Sequence, residues 1–312
     1  MIKNSRTVVG VALSLVLAAA AAMVPAHAQP PRFLSLEPPS GLPVVPVMEG
    51  WYGNADGSRT ISFGYYNKNS AESVDIPIGE NNYIEPAEFN GSQPTHFIIG
   101  RDTGVFTVTL PPNMADEDVW WYLKTGNNEI LKVPGRAGEG AYELDHRPRP
   151  QGTVSPEGWL EPGGEVGIGP VGVVSEAAQT VSVNTAATFT VHARDPSERD
   201  LTDPRFAEPV PIRLTWFKHQ GPGEVEFSRH PSTETVSAPS EDEDDGGQPA
   251  PENPPEVVRL AQGEGTANII ATFSEPGDYL LRARIDNWSA TDSSQGNQCC
   301  WTNIYQRVTV TP

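Results

Sequence analysis

Apolar residues recur at every second position along most of this chain. In residues 58–67, Ile61, Phe63 and Tyr65 share one side of SRTISFGYYN. In residues 104–110, Phe106, Val108 and Leu110 do the same before Pro111 and Pro112 end the run. Residues 118–124, DVWWYLK, place Val119, Trp121 and Leu123 on one side and Trp120 and Tyr122 on the other. Residues 95–99 and 130–133 read as shorter strands in the same block. Further on, Val181, Val183, Ala187, Phe189, Val191 and Ala193 keep one parity through residues 180–193. So do Ile212, Leu214 and Trp216, then Ala267, Ile269, Ala271 and Phe273, then Tyr279, Leu281, Ala283 and Ile285. Val308 and Val310 close the chain. A period of two is the signature of half-buried β-strands. No helical period persists for three turns. Turn chemistry separates the runs, as in NADG at 54–57 and PGD at 276–278,. The pattern predicts an all-β protein of two antiparallel β-sandwich domains.

Composition shifts place the boundaries. Residues 29–43 form a Pro-rich leader, and residues 44–145 a first sandwich domain. Residues 146–170 read as a Pro/Gly-rich linker, with an edge strand near residues 171–174,. Residues 171–312 form the second domain. Inside it, about residues 229–256 are polar and Pro-rich and hold the acidic run Glu241, Asp242, Glu243, Asp244, Asp245. A calcium loop needs acids at alternate positions and a turn glycine. This contiguous run has neither, so it reads as a disordered, solvated insertion.

The first 28 residues change the picture of compartment. Lys3 and Arg6 precede an apolar run over residues 8–22, and Ala26, His27 and Ala28 form an A-x-A cleavage signature. This is a Sec signal peptide pattern. The run falls short of the ~20 apolar residues of a membrane span. The expectation is export to the periplasm or the extracellular space, with no membrane insertion after cleavage. The 312-residue chain carries 21 Lys plus Arg and 40 Asp plus Glu. Loss of Lys3 and Arg6 leaves 19 basic side chains against 40 acidic ones, a net charge of −21. Such a chain repels phosphate backbones and anionic lipid surfaces, so nucleic acid is not expected as a partner.

Residues 214–227, LTWFKHQGPGEVEF, and 271–286, ATFSEPGDYLLRARID, carry a resemblance. The patterns W-x-x-x-x-GPG-x-V-x-F and A-T-F-S-x-PG-x-Y-x-L-R resemble bacterial immunoglobulin-like domains related to the PKD family. The resemblance covers roughly the C-terminal 140 residues and implies an immunoglobulin-like second domain. It places Trp216 in the sandwich core and makes Phe227, Phe273 and Tyr279 structural positions. RVTVTP at the C-terminus matches the last strand. The acidic insertion and the longer segment around residues 297–303 depart from the pattern. The N-terminal half is similar to a region of exported bacterial proteins of unknown function, through GWY-x-N-x-DGS and SFGYYN. Neither resemblance implies an activity, since such modules serve as spacers, adhesive units and enzyme appendages.

The candidate chemistry is sparse. Cys299 and Cys300 are the only cysteines, side by side in NQCCWTN. Adjacent Cα atoms lie about 3.80 Å apart, below the usual disulfide range, so a bond between them requires a distorted turn. In an oxidising compartment the expectation is a vicinal disulfide that shapes the loop, with an intermolecular bond as the alternative. Neither the spacing for zinc nor a C-x-x-C redox pair is present. His96, His146, His192, His219 and His230 show no metal-ligand spacing,. No cofactor and no catalytic residue is expected, although carboxylate pairs distant in sequence leave a carbohydrate-active enzyme, or its accessory domain, as an alternative. Binding candidates are Trp120 and Tyr122 on the second side of an aromatic strand, His96 at a strand start, and Trp301 beside the cysteines. The reading is an exported, non-enzymatic binding or interaction module for a protein or glycan partner, with a purely structural spacer as the other possibility.

Overall fold

A computed structural model describes residues 38–144, 153–237, 252–290 and 300–312. The signal peptide, most of the leader, the acidic run and Cys299 lie outside these described residues. The chain is all-β, with antiparallel sheets throughout apart from two parallel pairings at one edge.

The first block holds β1 (Val44–Gly53), β2 (Arg59–Asn67), β3 (Val74–Asp75), β4 (Asn82–Glu85), β5 (His96–Phe97), β6 (Gly100–Leu110), β7 (Val119–Leu123) and β8 (Leu131–Gly135). Two three-stranded sheets, β1-β2-β6 and β4-β7-β8, enclose the core, and β3-β5 forms a small third. The predicted turn closes the first hairpin. Gly57 adopts φ +85°, and its N–H donates to the Asn54 carbonyl at 3.0 Å. Trp121 lies at the centre, edge-on to Phe63 and Phe106 at 6.1 and 4.9 Å. Its indole N–H donates to Asn82 Oδ1 at 3.0 Å, so the buried donor is satisfied,. Strand β5 is shorter than residues 95–99, because the Thr95 N–H donates instead to the His219 carbonyl of the second block.

The second block holds β9 (Glu157–Trp159), β10 (Gly167–Ile168), β11 (Val173–Val174), β12 (Gln179–Ser182), β13 (Ala187–Arg194), β14 (Ile212–Gln220), β15 (Val225–Arg229), β16 (Val257–Leu260), β17 (Glu264–Phe273), β18 (Gly277–Asp286) and β19 (Trp301–Thr311). One sheet runs β10-β9-β13-β17-β15 and the other β11-β19-β18-β14-β16, with β12 also on β19. This is the immunoglobulin arrangement, in which an early strand runs parallel to the last one. Trp216 of β14 is buried in the core at 1% exposure. Tyr279 near the start of β18 donates its hydroxyl to the Glu275 carbonyl at 2.9 Å and accepts from the Gly223 N–H at 3.0 Å. A buried tryptophan and a tyrosine corner at these positions are marks of the same fold.

The single alternating run over residues 180–193 becomes two strands in two sheets. Asn184, at φ +54°, makes the break, and β12 and β13 diverge from it. Residues 157–168, within the Pro/Gly-rich passage, contribute β9 and β10. The described ends of the insertion are bonded to the sandwich: Thr233 Oγ1 accepts from the Asn268 N–H, and Thr235 Oγ1 from the Arg259 N–H.

Residues Pro39–Pro312 form one compact unit. Much of the outer side of β18 and β19 is buried against the first block, where Asp102, Gly104 and Val105 of β6 bond to Arg282, Trp301 and Tyr305, while Asp278 and Arg307 stay exposed. Hence residues 301–306 are buried on both sides of their strand.

Candidate functional site

Where the two blocks meet, polar side chains are buried in a continuous seam. Asp102 of β6 pairs with Arg282 and, at 3.1 Å, with Arg284, both of β18. Arg282 and Asp102 are about as buried as the core. The guanidinium of Arg282 lies over Phe217 at 4.4 Å, and that of Arg284 over Trp288 at 4.6 Å. His219 donates from Nε2 to the Ser92 carbonyl at 2.8 Å. Burial, then the neighbouring Arg282 charge, push its pKa down to about 3, so the ring is neutral,. Burial raises the Tyr305 phenol well above its ordinary value, and its hydroxyl donates to the Val105 carbonyl at 2.6 Å.

Trp301 belongs to this seam. It is 1% exposed and donates to the Gly104 carbonyl at 3.4 Å. Gly104 has φ +57°, and a Cβ there would lie 2.2 Å from the Trp301 ring. The tryptophan is therefore packed between the blocks rather than displayed at a loop tip. Next to it in sequence, Cys300 is fully buried, and no free cysteine stands among the described residues.

His96 lies at the mouth of the seam. Its Nδ1 contacts Asp75 Oδ1 at 2.9 Å, and Lys218 Nζ reaches the same oxygen at 3.1 Å. Burial opposes ionisation of Asp75, but the bonds from His96 and Lys218 outweigh it and hold the carboxyl below its ordinary range. Lys218 also donates to the Gly223 carbonyl at 2.9 Å. This fixed ion cluster lies beside a cleft of about 540 Å³ formed by both blocks. The first block contributes Ser73, Ile98 and Ile99, and β14 contributes Trp216 and Phe217. Strand β15 contributes Val225 and Phe227. Glu224, Glu226 and Glu256 stand around the cleft, and none of them pairs with a cation among the described residues.

Trp120 and Tyr122 lie on the outward side of β7, half-buried, as the parity predicts. The Tyr122 ring stacks on Tyr83 at 4.5 Å and 5°. Lys132 Nζ lies over the Trp120 ring at 4.6 Å and the Tyr122 ring at 5.4 Å. A hydrogen bond to Glu85 raises the Tyr122 pKa. Tyr122 thus has an aromatic neighbour and a cationic one already in place, which leaves less ring surface for a sugar to stack on.

No protein-family model matches the sequence, and no curated protein matches it. Among solved structures, the D0-D1 domain of Intimin aligns over 86% of this chain and 100% of its own, at 13% identity and a TM-score of 0.22. The D00-D0 domain of Intimin aligns over 86% and 100%, at 10% identity and a TM-score of 0.24. Domains 4 and 5 of the S-layer protein SbsC align over 87% and 98%, at 11% identity and a TM-score of 0.22. Superpositions at this level establish no correspondence between residues. The immunoglobulin-like character of the second block rests on its own strand order, Trp216 and Tyr279.

The four sequence candidates are not brought together. His96 borders the cleft, Trp120 and Tyr122 share the β7 side, and Trp301 is interior. The cleft residues Lys218, Glu224, Glu226 and Glu256 were not singled out by sequence. Lys218 did carry a signal, a lysine extending the inward parity of Ile212, Leu214 and Trp216. The glutamates carried none, because exposed acids are common throughout so acidic a chain.

Among the described residues no group of three His, Cys, Asp or Glu is placed to hold a metal ion, and no helix is long and apolar enough to cross a membrane.

Proposed function

We propose that this protein is an exported, non-enzymatic binding module that engages a partner in the cleft between its two blocks. The observation that carries this reading is the cleft itself. Elements distant in sequence converge there on apolar walls, with a fixed ion cluster at the margin and carboxylates that meet no cation among the described residues. A concave apolar site with a few placed polar groups is the usual form of a binding site. The signal-like N-terminus supports export, to the periplasm or beyond the cell,. The Tyr83 and Lys132 contacts to Tyr122 count against a glycan site on the β7 side. Kinship with PKD-related domains rests on the tryptophan and PG-x-Y patterns of the sequence.

The test is a screen of the chain lacking residues 1–28 against glycans, metal ions and peptides, repeated with Ile99→Asp. Ile99 is 48% exposed, so this change spares the core while placing charge in the cleft wall. A saturable ligand that Ile99→Asp abolishes supports the reading. Saturable binding untouched by it, or substrate turnover, overturns it. The interblock seam favours a second reading, a rigid structural spacer, and the absence of any saturable ligand would select that one.

A vicinal bond between Cys299 and Cys300 remains our proposal for the loop before β19. Intact mass lower by two hydrogens without a dimer supports it, and a reducible dimer overturns it.

A further inference from the structure

The chemistry of the cleft narrows the partner, on the reading that the cleft is the binding site. We infer that it receives an extended peptide segment bearing Lys or Arg side chains, laid along the free edge of β15.

Strand β15 ends its sheet, pairing with β17 on one side only. An edge strand presents backbone donors and acceptors that an extended chain can complete, the mode called β-augmentation. Its five residues match a peptide segment of roughly 17 Å,. Ile98, Ile99, Phe217 and Phe227 offer apolar contact on the cleft side.

Charge selects the side chains. Glu224 and Glu226 are exposed, stand two residues apart at the edge, and face no cation among the described residues; Glu256 lies on the opposite margin. Since these glutamates are not close enough together to cage a metal ion, cations spaced along an extended chain complement them better than a single ion does. Glu224 and Glu226 share one parity, so basic residues at alternate positions of the peptide fall opposite them.

The experiment uses the intact exported protein and fluorescent peptides of about ten residues, in which Lys or Glu alternates with Val. The Lys–Val peptide is expected to saturate, and to weaken as salt is raised. The Glu–Val peptide and a Lys–Val peptide N-methylated at alternate residues are expected not to bind. The variant Glu224→Lys/Glu226→Lys should weaken Lys–Val binding roughly tenfold or more, and the gentler Glu224→Gln/Glu226→Gln should weaken it less. Glu117→Lys, exposed in the first block, controls for general attraction to an acidic protein. Equal losses in the Glu117 variant and the cleft variants, or equal binding of the N-methylated peptide, overturn the inference. If another ligand saturates the cleft and is lost in Ile99→Asp while the Lys–Val peptide fails, only this inference falls. If Ile99→Asp affects no ligand, the binding-site reading falls with it.

Discussion

Asp102 answers two arginines from within the protein, and its removal strips Arg282 of its carboxylate while Arg284 keeps only the longer contact to Asp286. Breaking a buried pair by deleting one partner costs about 3–5 kcal/mol, because the remaining charge stays desolvated. Asp102→Ala is therefore expected to lower the unfolding free energy by about that amount, as read from urea denaturation. His219 gives a pH dependence of definite sign. Its pKa is about 3 when folded against 6.5 for the free side chain, so between these values the unfolded chain binds the proton and the folded one does not. Its contribution is full above pH 6.5 and is lost as pH falls toward 3, at a slope approaching about 1.4 kcal/mol per pH unit,. His219→Gln keeps a donor for the Ser92 carbonyl and should flatten this slope above about pH 4, where Asp75 stays ionised. An unchanged slope would show that the ring is not held neutral.

Strands β14, β18 and β19 show how far alternation reaches. It assigns Leu281, Ala283 and Ile285 to the core, and they are buried there. It equally assigns Arg282 and Arg284 to the opposite side, which in an isolated sandwich would face water. Nothing local distinguishes a solvated arginine from one that meets Asp102 across a seam, 180 residues away in sequence. The break between β12 and β13 was hidden for a related reason. Val181, Val183 and Ala187 keep the same parity whether the strand continues or changes sheets. Asn184 was the one local mark, since asparagine tolerates positive φ better than most residues,. Asn184→Gly should leave stability within a few tenths of a kcal/mol, whereas Asn184→Val should cost about 1–2 kcal/mol by thermal unfolding. Gly104 is less tolerant. Gly104→Ala adds a methyl against Trp301 at positive φ and should cost about 2–4 kcal/mol, with a shift in tryptophan fluorescence,.

Two hydrophobic cores occupy one compact unit, and the seam between them is buried and charge-paired. Partial unfolding that separated the blocks would expose Trp301 and Tyr305, break the Asp102–Arg282 pair and leave Arg284 with Asp286 alone. The expected outcome is one cooperative transition, with calorimetric and van't Hoff enthalpies in agreement. Trp121→Ala, in the first core, should lower the whole transition by about 3–5 kcal/mol rather than split it. Two resolved transitions would mean that the seam does not couple the blocks.

The sequence alone determined the all-β class, the inward parity of most strands, Trp216 and Tyr279 among them, and the first hairpin turn. These depend on local geometry: side chains alternate at every residue, and glycine and proline punctuate wherever the chain turns. Only the tertiary structure decided that the outer side of the second sandwich is partly covered, that Trp301 is interior, and that His96 meets Asp75 and Lys218 beside a cleft. Those outcomes depend on which surfaces meet after the strands have formed. A side chain that points away from its own core has the same sequence pattern whether it finds water or another sheet.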